Sequence, residues 1–191
     1  MSLFNRHKTK SDEALMLLFQ EGNQRAFDEV YHRYSKRLLH FMFRMVNNDE
    51  ALAQDLLHDI FMRLVQQPNR FDTSRNFKSW IFTVAANECY KHHRKRGIVE
   101  QVDVLEMDFP ILDTNPHDLD QKTFRRALRK ELEQLSYDHR CTFILRFQEG
   151  LSVKEVSDIM DCSEGTVKSS SHHCLKNLSV KLAMYNPINS D

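Results

Sequence analysis

Apolar residues recur at intervals of three and four through most of the chain, the spacing of helices with one buried face. Ser11 is placed to cap a first short helix, 12–20, that turns Leu15, Leu18 and Phe19 inward. A second helix starts behind Asn23 and runs to about Met45, with Phe27, Val30, Tyr31, Tyr34, Leu38, Phe41, Met42 and Met45 on its inner face. A third runs from about Glu50 to Gln66, carries Leu52, Leu56, Ile60, Phe61 and Leu64 inward, and is stopped by Pro68. Residues 69–76 are polar and turn-rich. A fourth helix begins near Phe77, passes Trp80, Ile81, Val84 and Ala85 on its core side, and ends in Lys91-His92-His93-Arg94-Lys95-Arg96, with Gly97 placed as C-cap.

Near the other end, the stretch GLSVKEVSDIMDCSEGTVKSSSHHCLKNL, 150–178, changes the kind of protein expected. Val153, Val156, Ile159 and Met160 mark a short helix, Asp161-Cys162-Ser163 supplies a turn, and Ser163 is a natural N-cap for the next helix. In that helix Val167, Cys174, Leu175, Leu178 and Leu182 form the inner face. Ser163 and Glu164 at its start, then Thr166, Lys168, Ser169, Ser170, His172, His173 and Lys176, are left to meet a groove. Two short helices joined by a tight turn, the second opening on polar side chains, read as a helix-turn-helix DNA reader.

Composition agrees with an all-α chain. Four Gly and four Pro in 191 residues leave little material for hairpins, and no convincing run alternates with period two. Cys89, Cys141, Cys162 and Cys174 lack paired spacing and sit inside apolar helical patterns, which predicts buried, reduced thiols rather than a disulfide framework. No apolar run approaches the roughly 20 residues that cross a bilayer. The first ten residues, MSLFNRHKTK, lack the apolar core of a signal peptide, so a cytoplasmic chain without membrane insertion is expected. There is no phosphate-binding glycine loop, no nucleophile motif and no paired acid/base pattern. Neither an enzyme nor a cofactor is expected.

Charge is zero in sum and segregated along the chain. Residues 1–97 hold 16 Lys/Arg against 11 Asp/Glu, residues 98–120 hold none against 7, and residues 121–191 hold 11 against 9. Two basic lobes around an acidic, Pro-containing connector predict two small helical domains, 11–97 and 121–183, joined by a linker over 98–120. Such lobes suit a protein that meets nucleic acid at two places. The basic end of the fourth helix has two readings. Cations favour the last turn of any helix by about 0.3–1 kcal/mol each, with Phe77, Trp80 and Phe82 as core. Alternatively, aromatics beside a basic track hold unpaired bases, at about 1–3 kcal/mol per stacked base.

At this point the residues resemble a known family. FDEVYHRYSKRLLHF, AQDLLHDIFMRLVQ and FKSWIFTVAANECYKHHRKR, between 26 and 97, are similar to region 2 of bacterial RNA polymerase sigma factors of the extracytoplasmic-function group. FILRFQEGLSVKEVSDIM followed by SEGTVKS, within 129–182, resembles that group's region 4. The two blocks stand in the family's order and cover about two thirds of the chain.

The resemblance implies partners and roles. Asp55 and Asp59, four residues apart on one helix face, fall on the face that docks the clamp of the polymerase's beta-prime subunit; core polymerase, its beta subunit included, is the implied partner. The loop 67–76 and the fourth helix fall where the family captures flipped bases of the −10 promoter element, with Phe77, Asn87, Tyr90, Lys91, His93, Arg94 and Lys95 as candidates. The helix-turn-helix would hold −35 duplex DNA. An anti-sigma protein is a further implied partner, and the acidic linker would suit the basic path of nascent RNA. Two departures stand out. After Lys168-Ser169 the family usually continues with Arg, an apolar residue, His, Arg, Ala and Arg, where this chain has Ser170, Ser171, His172, His173, Cys174 and Leu175. Asp161 stands where Gly is usual; Asp tolerates positive φ better than most residues, so the turn should survive.

A rival reading uses Cys162, His172, His173 and Cys174 as zinc-compatible ligands of a metal-sensing helix-turn-helix regulator. Against it, neighbouring residues on a helix point roughly 100° apart, and Cys174 lies on the inner face. No metal site is expected.

Overall fold

The computed structural model of the chain describes residues 7–95 and 118–183. The described residues are helical, with no strand among them, and the chain divides into two units, Met1–Gln101 and Val102–Asp191. The acidic stretch 96–117, with Arg96 and Gly97, lies outside the described residues.

The first unit contains α1 (Asp12–Gln20), α2 (Gln24–Met45), α3 (Glu50–Gln66), a 3-10 turn (Pro68–Arg70) and α4 (Phe77–Lys95). The ends fall where local chemistry puts them. Ser11 accepts the Ala14 amide, Asp49 accepts the Leu52 amide, and Asn47 and Asn48 take the left-handed conformation, φ 57° and 61°, between α2 and α3. The core is aromatic. Tyr34, Phe41, Phe71, Phe77 and Phe82 are among the largest fully buried side chains, and their rings meet edge to face at 5.0 to 5.6 Å. Arg33 ties residues 7–10 to α2: it donates to the carbonyls of His7, Lys8 and Lys10 and pairs with Asp12 at 2.7 Å and Glu29 at 2.8 Å.

The second unit contains α5 (Asp118–Glu133), α6 (Tyr137–Phe143), a π-helical turn (Ile144–Gln148), α7 (Val153–Met160) and α8 (Glu164–Lys181). Helix α5 starts at Asp118, three residues inside the segment expected to be linker. Leu132, Phe143, Cys174, Leu178 and Leu182 form a compact buried cluster. Most residues expected inward are buried or half-buried, and two are exposed. Tyr31 is 45 % exposed and Leu175 46 % exposed. Leu175 lies one helical step, roughly 100°, beyond the stripe of Val167, Cys174 and Leu178. Tyr31 instead packs edge-on against Phe61, with 4.7 Å between ring centroids, at the rim of the core.

Candidate nucleic-acid interface

Helix α8 is held in place by the two turns before it. Ser152 and Glu155 form a reciprocal capping box at the start of α7: the Ser152 amide donates to Glu155 Oε2 at 2.7 Å and the Glu155 amide to Ser152 Oγ at 3.1 Å. At its end Asp161 takes φ 49°, ψ 49°, so the chain makes the left-handed turn without a glycine, as the side chain's tolerance predicts. Ser163 then caps α8, accepting the Thr166 amide at 3.0 Å.

With Val167, Cys174, Leu178 and Leu182 buried, the opposite side of α8 presents Thr166, Lys168, Ser169, His172, His173 and Lys176, all exposed. Ser170 is half-buried. Several of these groups are engaged within their own helix. Ser163 Oγ lies 2.9 Å from Thr166 Oγ1, Ser169 donates to the Thr166 carbonyl at 3.0 Å, and Lys168 sits 3.7 Å from Glu164. The Ser163 hydroxyl is thus committed to starting the helix.

Helix α4 is fixed more heavily. Its first turn is capped by Asn76, whose side chain accepts the Ser79 amide at 2.8 Å, and the Phe77 amide donates to Glu13 of α1 at 3.0 Å. The preceding loop is pinned by Gln20, whose amide donates to the carbonyls of Pro68 at 2.9 Å and Phe71 at 2.8 Å. The Ser74 amide and hydroxyl both donate to Asp72, and these bonds hold its carboxyl below the usual range. Phe77 corrects the sequence expectation: it is fully buried between Tyr34, Phe71 and Trp80, and cannot stack on a base without leaving the core. Phe82 is likewise core, and Trp80 is half-buried against Phe71. The exposed members are Asn87, Tyr90, Lys91, His93, Arg94 and Lys95, with the Arg94 guanidinium 6.0 Å from the Tyr90 ring centre.

Asp55 and Asp59 are both exposed on α3. Asp59 is 3.9 Å from Arg63, which reaches across to Glu88 of α4 at 2.6 Å, and Glu88 also holds Lys91 at 3.1 Å. Burial pushes the Glu88 carboxyl up, but the hydrogen bonds from Arg63 and Lys91 outweigh it and hold the group below its usual range. This chain of ions joins the acidic face to the basic helix end, and periodicity gave no sign of it. Nor did it indicate the groove of about 550 Å³ lined by Phe27, Tyr31, Leu57, Phe61, Met62 and Val65. The available signal was that Leu57, Met62 and Val65 are apolar yet lie off the inner stripe of α3.

The metal-ligand set does not assemble. Cys174 is fully buried, its thiol donates to the His139 carbonyl at 3.3 Å, and burial pushes it up to about 11. No cluster of three or more His, Cys, Asp or Glu groups suited to a metal occurs among the described residues. No described helix is long and apolar enough to cross a membrane.

The fold and its exposed surfaces define a helical protein with a DNA-reading helix-turn-helix in one unit and a basic helix end in the other. The family model for sigma-70 region 2 matches residues 30–98 and that for sigma-70 region 4 matches residues 125–178. The RNA polymerase sigma factor CarQ of Myxococcus xanthus is 32 % identical over 154 residues, 81 % of this chain and 87 % of that one. The sigma factor SigX of Bacillus subtilis, of the extracytoplasmic-function group, is 27 % identical over 80 % of this chain and 81 % of its own. Among solved structures, the sigma factor RpoE of Bartonella quintana, in complex with the anti-sigma factor NepR, aligns with a TM-score of 0.65 at 26 % identity. That alignment covers 82 % of this chain and 96 % of RpoE. This chain belongs to the sigma-70 family of RNA polymerase sigma factors, in its extracytoplasmic-function group. It directs promoter-specific transcription initiation, which sets aside the metal-sensing regulator. Sigma factors are, as a class, initiation factors rather than enzymes.

Proposed function

We propose a division of labour between the two units. Residues 11–97 bind core polymerase through Asp55 and Asp59 and take up the −10 element; residues 121–183 hold the −35 duplex; 98–120 connects them. The observation that most supports this is the capped α7–α8 pair, which offers exposed Thr166, Lys168, Ser169, His172, His173 and Lys176 on one side of a helix seated by its buried stripe. On α4, Asn87, Tyr90, Lys91, His93, Arg94 and Lys95 meet the unpaired strand. Tyr90 takes the stacking role that buried Phe77 cannot. The chain carries out no chemistry itself. Extruding a base costs a few kcal/mol, which contacts made only with the open strand offset. It acts in the cytoplasm, and an anti-sigma protein, such as the NepR seen on RpoE, holds it inactive.

Run-off transcription with core polymerase and genomic fragments tests this. Transcripts that start at discrete sites only when the chain is added, and that vanish with Asp55→Arg/Asp59→Arg, are expected. Dependence on the chain that survives this substitution removes the acidic face from the assignment.

A further inference from the structure

Helix α1 carries none of the residues assigned to polymerase or DNA, yet it holds both ends of the loop that leads into α4. Glu13 and Gln20 stand seven residues apart, two turns along one face of α1. At one end the Gln20 side-chain amide donates to the carbonyls of Pro68 at 2.9 Å and Phe71 at 2.8 Å. Carbonyl oxygens can only accept, so the NH2 faces them. At the other end Glu13 Oε1 accepts the Phe77 amide at 3.0 Å.

The two feet of this loop are joined beneath it. The Phe71 and Phe77 rings are fully buried and meet edge to face at 5.0 Å, so the chain leaves the core and returns to it at one place. Phe77 also packs 5.2 Å from the ring of Tyr34, whose hydroxyl donates to Asp12, the first residue of α1. Between the feet the Asp72 carboxyl accepts the Ser74 amide and hydroxyl, and the Arg75 amide donates to the Asp72 carbonyl at 3.0 Å. Ser74, Arg75 and Asn76 are left exposed at the tip.

We infer that Glu13 and Gln20 are positioning residues for base capture: α1 fixes the shape of loop 72–76, and through it the choice of base in the −10 element. This rests on the reading of the first unit as the −10 reader. A contact that selects one base needs its donors and acceptors held to within about 0.5 Å, and a short loop with unfixed feet loses that precision. Charge attraction to phosphates falls off gradually with distance and tolerates such movement. Loss of the clamp therefore removes the advantage of the correct base and leaves binding to an incorrect one nearly as it was. Leu15, Met16 and Phe19, all buried, seat α1 independently of the two side chains, so the clamp can be removed with the helix in place.

Core polymerase reconstituted with the full chain tests this, on a promoter recovered by run-off transcription and on copies with each −10 base replaced in turn. Gln20→Met, which keeps length and packing without the donors, and Glu13→Ala should each shrink the parent promoter's advantage in transcript yield about three- to tenfold. Yield on the substituted copies, which already lack the base contact, should change less than about twofold. Glu13→Gln, whose amide oxygen still accepts, should keep the wild-type advantage. Gln20→Glu, which sets acceptors against acceptors, should fall below Gln20→Met. Hydrogen exchange at the Phe77 amide should quicken in Glu13→Ala and not in Glu13→Gln. Leu18→Ala, a loss of half-buried packing on α1 that spares both hydrogen-bonding side chains, should keep the advantage; an equal loss there overturns the clamp as its source. Discrimination that survives in both Gln20→Met and Glu13→Ala overturns the proposal and leaves the −10 reading standing. A wild type that initiates equally on every substituted copy overturns both.

Discussion

The two units hold the helices proposed to face DNA in different ways. Helix α4 is fixed by contacts distant in sequence: Glu13 on its first amide, Gln20 on the preceding loop, Arg63 on Glu88, and interlocked rings beneath it. Helix α8 is started by its neighbours in sequence, the Ser152–Glu155 box, the left-handed Asp161 and the Ser163 cap, and is seated by a narrow stripe of Val167, Cys174 and Leu178 against Leu132 and Phe143. A fixed scaffold with fixed charges suits a surface that must trap bases. A locally capped helix with hydroxyls and imidazoles suits a groove reader whose strength can be adjusted.

The largest expected effect comes from the aromatic scaffold. Phe82 is fully buried, its ring 5.6 Å from Phe41, and Phe82→Ala should cost about 3–5 kcal/mol of the first unit's stability. Urea unfolding followed at Trp80, the chain's one Trp, reports that unit alone. A loss below about 1 kcal/mol would mean the ring cluster relaxes and the scaffold is less fixed than its geometry implies.

Next is the acidic face. Asp55→Arg with Asp59→Arg places two cations where two exposed carboxylates stood, and should weaken core-polymerase association by about 2 kcal/mol or more with helicity unchanged. Co-purification with core checks it. Because Asp59 also neighbours Arg63, a parallel Arg63→Gln variant that retains core binding separates docking from the Arg63–Glu88 tie.

The third contrast is fixed charge on α4 against its scarcity on α8. Lys91→Ala, Arg94→Ala and Lys95→Ala together should lower the log–log salt slope for a −10 single strand by up to about 0.7 per lost phosphate contact. Polymerase association should be unaffected, and permanganate reactivity of −10 thymines measures melting. Full reactivity at equal occupancy would return the basic end to the simpler role of a helix terminus.

These contrasts also explain what could be read in the sequence. Helix ends were legible because Ser11, Pro68 and Ser163 act within a few residues of themselves and helices begin or end beside each; α2 also begins behind Asn23, although that side chain makes no capping bond. Burial was legible as a stripe and fails at its edges, at Tyr31 and Leu175. Phe77 was misassigned for a different reason: its place in a matching motif suggested contact with DNA, while its rotation about α4, visible only when α1 and α2 are present, sends it into the core. The Asp59–Arg63–Glu88–Lys91 chain and the His139–His173 stack join residues 25 and 34 positions apart at their longest steps, beyond any local period.

Smaller effects probe the local scaffold of α8. Ser163→Ala removes the acceptor of the Thr166 amide and should cost about 1 kcal/mol, with faster hydrogen exchange at Thr166 and Val167 and none in the first unit. The same rates in both proteins would show that the buried stripe, rather than the cap, starts the helix.

The smallest effect is expected at Asp161. A left-handed conformation costs an ordinary L-residue roughly 1–2 kcal/mol, and Asp bears it more easily than most. Asp161→Gly removes that strain at φ 49°, but it also frees the unfolded chain, which offsets about 0.4–1 kcal/mol of the gain. The two terms nearly cancel, so thermal unfolding of the second unit should move by less than about 0.5 kcal/mol either way. Asn47→Gly, at φ 57° between α2 and α3, provides the matched substitution in the first unit. If Asp161→Gly destabilises by more than 1 kcal/mol while Asn47→Gly does not, the Asp161 carboxylate has a role beyond tolerating the turn. The dependence of α8 on its local sequence would then be greater than its backbone geometry accounts for.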